Sequence, residues 1–114
     1  MAGATIDRAT FEALKKTTGA DFVDELVDTF LQEAPTMLDD LRSGLAAKDA
    51  DKFRRAAHSL KSNSNTFGAL TLGAMARELE LGGLAKVIES DGQPLDALAE
   101  EYSRVAAALT ELKT

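Results

Sequence analysis

The 114-residue chain contains no cysteine, only two prolines and a single histidine. The absence of cysteine excludes disulfide bonds, thiolate metal sites and thiol nucleophiles. No apolar run approaches the roughly 20 residues that a membrane-spanning helix needs. The first ten residues also lack the basic region and apolar stretch of a signal peptide. We therefore expect a cytoplasmic protein.

The overall charge is negative, with 13 basic and 19 acidic residues and a formal net charge of -6. This balance argues against binding to nucleic acid or to anionic membranes, which requires a concentrated basic surface. The apolar fraction of 45% and the charged fraction of 28% are typical of a soluble globular domain. A chain of this length can bury a core without metals or disulfides. We expect one domain over residues 1–114, with a core of about 6–112.

Apolar residues recur at three- and four-residue spacing almost throughout, and no stretch alternates long enough to form a strand. Turn and capping signals divide this pattern into five helices. We expect them at about Asp7–Lys16, Asp21–Leu45, Asp49–Gly68, Leu72–Ile88 and from Pro94 onward. Four amphipathic helices joined by short loops predict an all-α, antiparallel up-and-down four-helix bundle, with the short first helix added at one end.

Individual residues support these boundaries. Asp7 and Asp49 are good N-caps, and Pro35 should bend the second helix by removing a backbone bond. Gly82 and Gly83 should weaken the fourth helix. Outside the third helix, the residues expected to face the core are Phe11, Leu14, Phe22, Leu26, Phe30, Leu38, Leu41, Leu45, Met75, Leu79, Leu84, Val87, Leu95, Leu98, Tyr102, Val105, Leu109 and Leu112.

The third helix carries the only histidine. On a helical wheel, His58 lies roughly 145° from the centre of the apolar stripe, so we expect its ring to face solvent or a partner. That core stripe consists of Phe53, Ala57, Leu60, Ser64 and Phe67. The polar residues predicted to share the face of His58 are Arg54, Arg55, Lys61, Ser62 and Asn65.

An exposed imidazole in this setting suits phosphoryl transfer. A neutral imidazole is a competent nucleophile toward phosphorus, and nearby cations would offset the negative charge of the phosphorylated ring. A rigid helix holds the ring in position for in-line attack. A lone surface histidine is, however, usually only a solvated residue, so the wheel alone leaves both interpretations open.

The surrounding sequence resembles a known family. The segment from Ala57 to Ser62 (Ala-His-Ser-Leu-Lys-Ser), followed by Phe67-Gly68-Ala69 and Glu78-Leu79-Glu80, resembles the signature of histidine-containing phosphotransfer (HPt) domains. Upstream, the segment from Phe30 to Pro35 resembles the second helix of that family. The resemblance covers nearly the whole chain, from about Ile6 to Leu112.

The resemblance implies roles for individual residues. His58 matches the phosphoacceptor, and Lys61 matches the lysine that steadies the phosphoryl group. Ser62 stands where many members have glycine, but serine is still small enough for close docking. Glu80 could approach the site from the next helix. The supporting residues implied by the family or by their position are Arg54, Arg55, Ser62, Asn65, Gln32, Glu33 and Gly68.

The resemblance also implies a mechanism and partners. His58 would take the phosphoryl group from one receiver-domain aspartate and pass it to another, within a pathway that includes a hybrid histidine kinase. The chain would have no kinase activity, no cofactor and no metal of its own, since the magnesium ion would belong to the receiver. We expect a monomer with an apolar docking patch near His58, for which Phe30 and Leu31 are candidates.

Alternatives remain open at this point. Thr66-Phe67-Gly68 is similar to the phosphoacceptor domain of chemotaxis-type kinases, in which a kinase domain would load His58. The chain could also be part of a larger hybrid kinase, or an adaptor that binds receivers without transfer. A di-iron bundle is excluded because it needs two Glu-x-x-His motifs. A hydrolase is poorly supported, since no Ser-His-Asp arrangement or Gly-x-Ser-x-Gly turn is present.

Overall fold

The computed structural model describes residues 5–113, which form five helices and no strand. The helices are α1 (Arg8–Thr18), α2 (Ala20–Ala47), α3 (Ala50–Thr66), α4 (Leu70–Glu89) and α5 (Gln93–Leu112). Each predicted helix is confirmed. The largest differences are two residues, at the ends of α1, α2 and α3 and at the start of α4, where helix boundaries commonly vary.

The helices pack as an all-α bundle. Each of α2, α3 and α4 packs against the next helix along the chain, and α5 returns to pack against α2, which closes the bundle. The α1 helix packs across α2 and α3. The prediction of a four-helix bundle with an extra N-terminal helix is confirmed.

Side-chain caps fix where two of the helices begin, as the sequence predicted. The Asp7 carboxylate accepts a hydrogen bond from the backbone N–H of Thr10 at 3.2 Å, and Asp49 accepts one from Lys52 at 3.1 Å. Each bond satisfies one of the free N–H groups of a first helical turn. The α2 helix runs on through Pro35, which lies on its exposed side.

Contacts at Gly68 fasten α1 to the turn between α3 and α4. The backbone N–H of Asp7 donates to the Gly68 carbonyl at 2.7 Å. Gly68 has a φ of +85°, and a Cβ at this position would lie 2.7 Å from the Asp7 carbonyl oxygen. Only glycine fits both the backbone conformation and the close approach. Ile6 and Phe11 are thereby buried in the common core.

The α4 helix is interrupted at Gly83, whose φ of 74° and ψ of -178° are not helical. This conformation is essentially restricted to glycine. The predicted weakness at Gly82 and Gly83 is therefore a break in the helix at the second of the two residues.

The buried side of α2 differs from the prediction. Phe22 was expected in the core but is 50% exposed, so that prediction is wrong. The buried row begins one residue later, at Val23 and Val27, and this shift turns Phe22 outward. Leu26 and Leu45 are partly buried against the core. On α5 the sequence did not reveal that Glu101 would be buried.

Candidate functional site

His58 lies in the middle of α3, and 56% of its side chain is exposed. The opposite side of the helix is buried through Phe53, Ala57 and Leu60. The prediction that the ring faces outward is confirmed. Another protein can therefore reach the ring without any rearrangement of the bundle.

One carboxylate on α4 contacts both His58 and Lys61. The Nδ1 atom of His58 lies 2.8 Å from Oε2 of Glu80, and Nζ of Lys61 lies 2.8 Å from Oε1 of the same group. The Glu80 side chain is only 16% exposed, whereas that of Lys61 is 25% exposed. The three side chains therefore form a compact cluster with the imidazole on its outer side.

The charge on Glu80 determines the proton position on His58. The hydrogen bond from Lys61 chiefly, assisted by the bond with His58, lowers the pKa of Glu80 below its usual 4.5, although desolvation acts in the opposite direction. Glu80 is thus a carboxylate at neutral pH, and a carboxylate can only accept hydrogen bonds. Nδ1 must therefore carry the hydrogen, which leaves the lone pair of the neutral ring on Nε2.

A close approach between α3 and α4 lies about two helical turns from the contact between Glu80 and His58. A Cβ on Gly73 would lie 2.1 Å from Oδ1 of Asn65, so the missing side chain makes room for the asparagine. His58 lies seven residues before Asn65 on α3, and Glu80 lies seven residues after Gly73 on α4. Seven residues are about two helical turns, so the antiparallel helices bring both side chains to the same level.

The two arginines near His58 do not contact its ring. Arg54 and Arg55 pair with Asp51, one turn earlier on the same helix, at 2.8 and 3.0 Å. Both arginine side chains are more than half exposed. They supply positive charge to the face of His58, while the direct contact comes from Glu80.

Two other predicted residues lie on the face of His58 without touching its ring. Ser62 is exposed one turn after His58, and Asn65 is exposed two turns after it. Asn65 covers Gly73, as described above. Its position therefore has a packing reason in addition to any contact with a partner.

The predicted polar residues of α2 are not next to His58. The ring centroids of Phe30 and Phe67 lie 5.3 Å apart, which places Gln32 and Glu33 level with the last turn of α3. In the antiparallel pair this is about two helical turns from His58. Both side chains are exposed, and neither forms a hydrogen bond with His58 in the described chain.

The apolar patch predicted on α2 is not present. Phe30 is only 2% exposed, and Leu31 is partly buried against the core. Phe30 belongs to the buried row of α2, and for this reason it cannot serve as a docking contact. The large apolar side chains that are exposed within residues 5–113 are Phe22, Leu70, Leu81 and Ile88, and three of these four are on α4.

Neither a membrane segment nor a metal cluster is found in the described part of the chain. No helix between residues 5 and 113 combines the length and the apolar character needed to cross a bilayer. The same residues contain no group of three or more histidine, cysteine or acidic side chains placed to hold a metal ion.

Comparisons with known proteins agree with this geometry. The family model of the Hpt domain matches residues 25–112. Sensor protein TorS of Escherichia coli (strain K12) is 32% identical over 93 residues, which are 80% of this chain but only 9% of that protein. The crystal structure of histidine-containing phosphotransfer protein B (HptB) from Pseudomonas aeruginosa PAO1 has the same fold, with a TM-score of 0.88 and 24% identity over 98% of this chain and 96% of that one.

The family assignment thus rests on a match that includes the whole of α3 and α4, the two helices that form the cluster of His58, Lys61 and Glu80. The chain belongs to the Hpt domain family, the histidine phosphotransfer carriers of two-component phosphorelays.

Proposed function

We propose that His58 is the phosphoacceptor and that it carries the phosphoryl group between the aspartates of receiver domains. The single observation that carries this proposal is the outward-facing imidazole whose Nδ1 is bound to Glu80 at 2.8 Å. This contact reserves the lone pair on Nε2 for attack on phosphorus.

The transfer step follows from this arrangement. The Nε2 lone pair of His58 attacks the phosphorus of an aspartyl phosphate, and the bond between phosphorus and the aspartate oxygen breaks. The aspartate leaves as a carboxylate, and the ring keeps its hydrogen on Nδ1. Glu80 offsets the positive charge that develops on the imidazole, and attack by a second receiver aspartate reverses the sequence.

Lys61 has a supporting role in this proposal. Its ammonium group is bound to Glu80 and lies one helical turn from His58. From that position it can turn toward the phosphoryl oxygens once they are attached to the ring, as expected for a cation that steadies the phosphorylated state. Arg54 and Arg55 add positive charge on the same face.

The remaining parts of the apparatus are assigned to the partners. We infer that the receiver domain holds the magnesium ion, that a hybrid histidine kinase supplies the phosphoryl group to the pathway, and that this chain has no kinase activity of its own. We also infer that it works as a monomer in the cytoplasm. The net charge of -6 supports partners other than nucleic acid or anionic membranes.

Replacement of His58 by Gln tests the proposal. Purified receiver domains carrying phosphate are mixed with the wild-type chain and with the variant, and acid-labile phosphate on the chain is followed with time. We expect the wild type to become labelled and His58→Gln to remain unlabelled, with an unchanged circular dichroism spectrum. Ser59→Ala, at the neighbouring exposed position, is the matched control and should label like the wild type.

A parallel reaction with ATP and a histidine-kinase catalytic domain identifies the donor. We expect the receiver to load His58 faster than the kinase domain does. Equal phosphate uptake by the wild type and by His58→Gln would remove His58 from the role of acceptor.

A further inference from the structure

Two arginines share one carboxylate on the part of α3 that precedes His58. Nη2 of Arg54 lies 2.8 Å from Oδ1 of Asp51, and Nε of Arg55 lies 3.0 Å from Oδ2 of the same group. All three side chains are more than half exposed. The carboxylate carries one negative charge against two positive charges, so the cluster has an excess of one positive charge.

The cluster lies next to the imidazole along α3. Arg54 and Arg55 precede His58 by four and three residues, and residues at these spacings are neighbours on a helix surface. Long side chains on an α-helix lean toward its N-terminal end, so a histidine covers the turn that precedes its own Cα. A phosphoryl group on Nε2 of His58 is therefore within reach of the guanidinium groups of that turn.

The neighbouring helices offer little positive charge to such a group. The 28 residues of α2 include seven carboxylates and one arginine. The α4 helix has three carboxylates, those of Glu78, Glu80 and Glu89, against the cations of Arg77 and Lys86. A phosphoryl group adds up to about two negative charges, and the cations that balance them have to come mainly from α3 itself.

The two arginines are not held equally. Nε of Arg55 also donates to the backbone carbonyl of Asp51 at 3.4 Å, whereas the hydrogen bond of Arg54 goes to the carboxylate through the tip of its guanidinium. An exposed ion pair of this kind is weak. A phosphoryl group has more charge and three acceptor oxygens, which a guanidinium can bind through two nitrogens at once. Arg54 can therefore exchange Asp51 for the phosphoryl group, while Asp51 keeps Arg55.

We propose that Arg54 binds the phosphoryl group on His58, and that Asp51 is a positioning residue that holds Arg54 beside the ring until the group arrives. This inference rests on the proposed function of His58. The exchange makes and breaks no covalent bond. It stabilises the phosphorylated chain relative to the phosphorylated receiver, and so it shifts the equilibrium of transfer toward His58.

The equilibrium constant for transfer from the receiver tests this role. The phosphorylated receiver is mixed with the chain, and the phosphate on each protein is measured once its distribution is constant. A contact that Arg54 made only with a docked receiver would change the rate of transfer, but it would not change the distribution of phosphate between the separated proteins. The equilibrium constant therefore distinguishes binding of the phosphoryl group from docking.

We expect Arg54→Gln to lower the equilibrium constant by about two- to fivefold, the effect of one exposed charge pair. Arg55→Gln should have a smaller effect. Asp51→Asn should raise the constant, because Arg54 then leaves no carboxylate when it binds the phosphoryl group. Most of this gain should be lost when Arg54→Gln is added to Asp51→Asn, since the two residues act through one contact.

Arg8→Gln is the matched control for the arginine variants. Arg8 is an exposed arginine that pairs with the carboxylate of Glu12 one turn away, but it lies on α1. This variant should have the equilibrium constant of the wild type. Circular dichroism melting curves confirm that each variant is folded at the temperature used.

A second measurement needs no receiver. The wild type and the variants are loaded with phosphoramidate, a small phosphate donor, and the phosphorus NMR shift of the phosphorylated chain is followed as the pH is varied. A bound guanidinium favours the doubly charged form of the phosphoryl group. The midpoint of the titration should therefore lie about 0.3–0.7 pH units higher in Arg54→Gln than in the wild type.

Three results would overturn the role of Arg54 and leave His58 as the acceptor. The first is an unchanged equilibrium constant and titration midpoint in Arg54→Gln. The second is an equal gain from Asp51→Asn with and without Arg54, which would show that Asp51 acts on the phosphoryl group through its own charge. The third is a larger effect of Arg55→Gln than of Arg54→Gln, which would assign the contact to Arg55.

Failure of the proposed function would look different. If no receiver labelled the wild type, the proposed exchange of phosphate with receiver aspartates would be contradicted. The phosphorus NMR titration would still decide whether Arg54 binds the phosphoryl group on His58.

Discussion

At the level of single residues, the charge of Glu80 determines which nitrogen of His58 is free to react. Its two oxygens bind Lys61 and His58 separately, so that the lysine keeps the carboxylate ionised and the carboxylate fixes the imidazole hydrogen on Nδ1. Any change that removes the charge of Glu80 releases both partners. The cluster therefore has a stability that depends on pH.

We predict that Glu80 stabilises the fold more than glutamine does at neutral pH, and that this difference in stability disappears in acid. The pKa of Glu80 is lower in the folded chain than its ordinary 4.5, so its ionised form stabilises the fold above that pH. The stabilisation is lost as the pH falls through the folded-state pKa, which lies below 4.5. The melting temperature of the wild type should exceed that of Glu80→Gln at neutral pH, and the difference should shrink as the pH is lowered.

Thermal unfolding followed by circular dichroism between about pH 3 and pH 8 measures this difference. Glu78→Gln is the matched control, since Glu78 is exposed on the same helix and forms no ion pair in the described residues. A difference between the wild type and Glu80→Gln that stays constant down to the lowest pH would contradict the prediction.

The sequence predicted part of this site. Because the apolar residues of α3 recur at regular helical spacing, a helical wheel was sufficient to predict that His58 faces outward and Leu60 faces the core. The sequence also suggested that Glu80 could approach the site, but its contacts with His58 and Lys61 were not predictable, because they depend on how far α4 slides along α3. That displacement depends on the packing between the two helices, and a pattern within one helix contains no information about it.

At the level of secondary-structure elements, α4 combines two adjacent glycines with different roles. Gly82 keeps helical geometry, and a Cβ there would lie 3.4 Å from the Lys86 side chain, an ordinary contact. Gly83 has a positive φ, and a Cβ there would meet nothing within 4 Å. Glycine is therefore required at position 83 only because of the backbone conformation.

We predict opposite effects of alanine at these two positions. Gly83→Ala should lower the free energy of unfolding by about 1–3 kcal/mol, because alanine is strained in this conformation. Gly82→Ala should raise it by as much as about 1 kcal/mol, because alanine favours the helix. Urea unfolding of both variants measures these changes, and equal effects of the two substitutions would show that Gly83 does not break the helix in solution.

The elements themselves were largely predictable, because their ends depend on local chemistry. Asp7 and Asp49 cap the helices that they were expected to cap. The core row of α2 was not assigned correctly, since Phe22 and Val23 are both apolar and the pattern does not show which of them faces inward. Packing against α1 and the other helices decides that choice, and it leaves Phe22 half exposed.

At the level of the whole molecule, α1 is part of the folded unit. The family match begins at residue 25, after the end of α1, yet Phe11 is only 1% exposed and Ile6 only 3%. The hydrogen bond from Asp7 to Gly68 joins α1 to the turn after α3. The bundle and its N-terminal helix should therefore unfold together.

We predict that Phe11→Ala destabilises the whole domain by about 3–5 kcal/mol, the usual cost of removing a buried phenylalanine side chain. Urea unfolding should still show a single transition at a lower midpoint. Glu12→Ala, at the neighbouring exposed position, should change the free energy of unfolding by less than about 0.5 kcal/mol. A separate early transition in Phe11→Ala, with the main transition unmoved, would show that α1 is only loosely attached.

The contact between Glu80 and His58 also determines which positional isomer of phosphohistidine can form. With one ring nitrogen occupied by the carboxylate, a phosphoryl group that reaches the imidazole is confined to the other nitrogen. The product is then a single positional isomer, τ-phosphohistidine, and every receiver that exchanges phosphate with this domain meets the same leaving group in the same orientation.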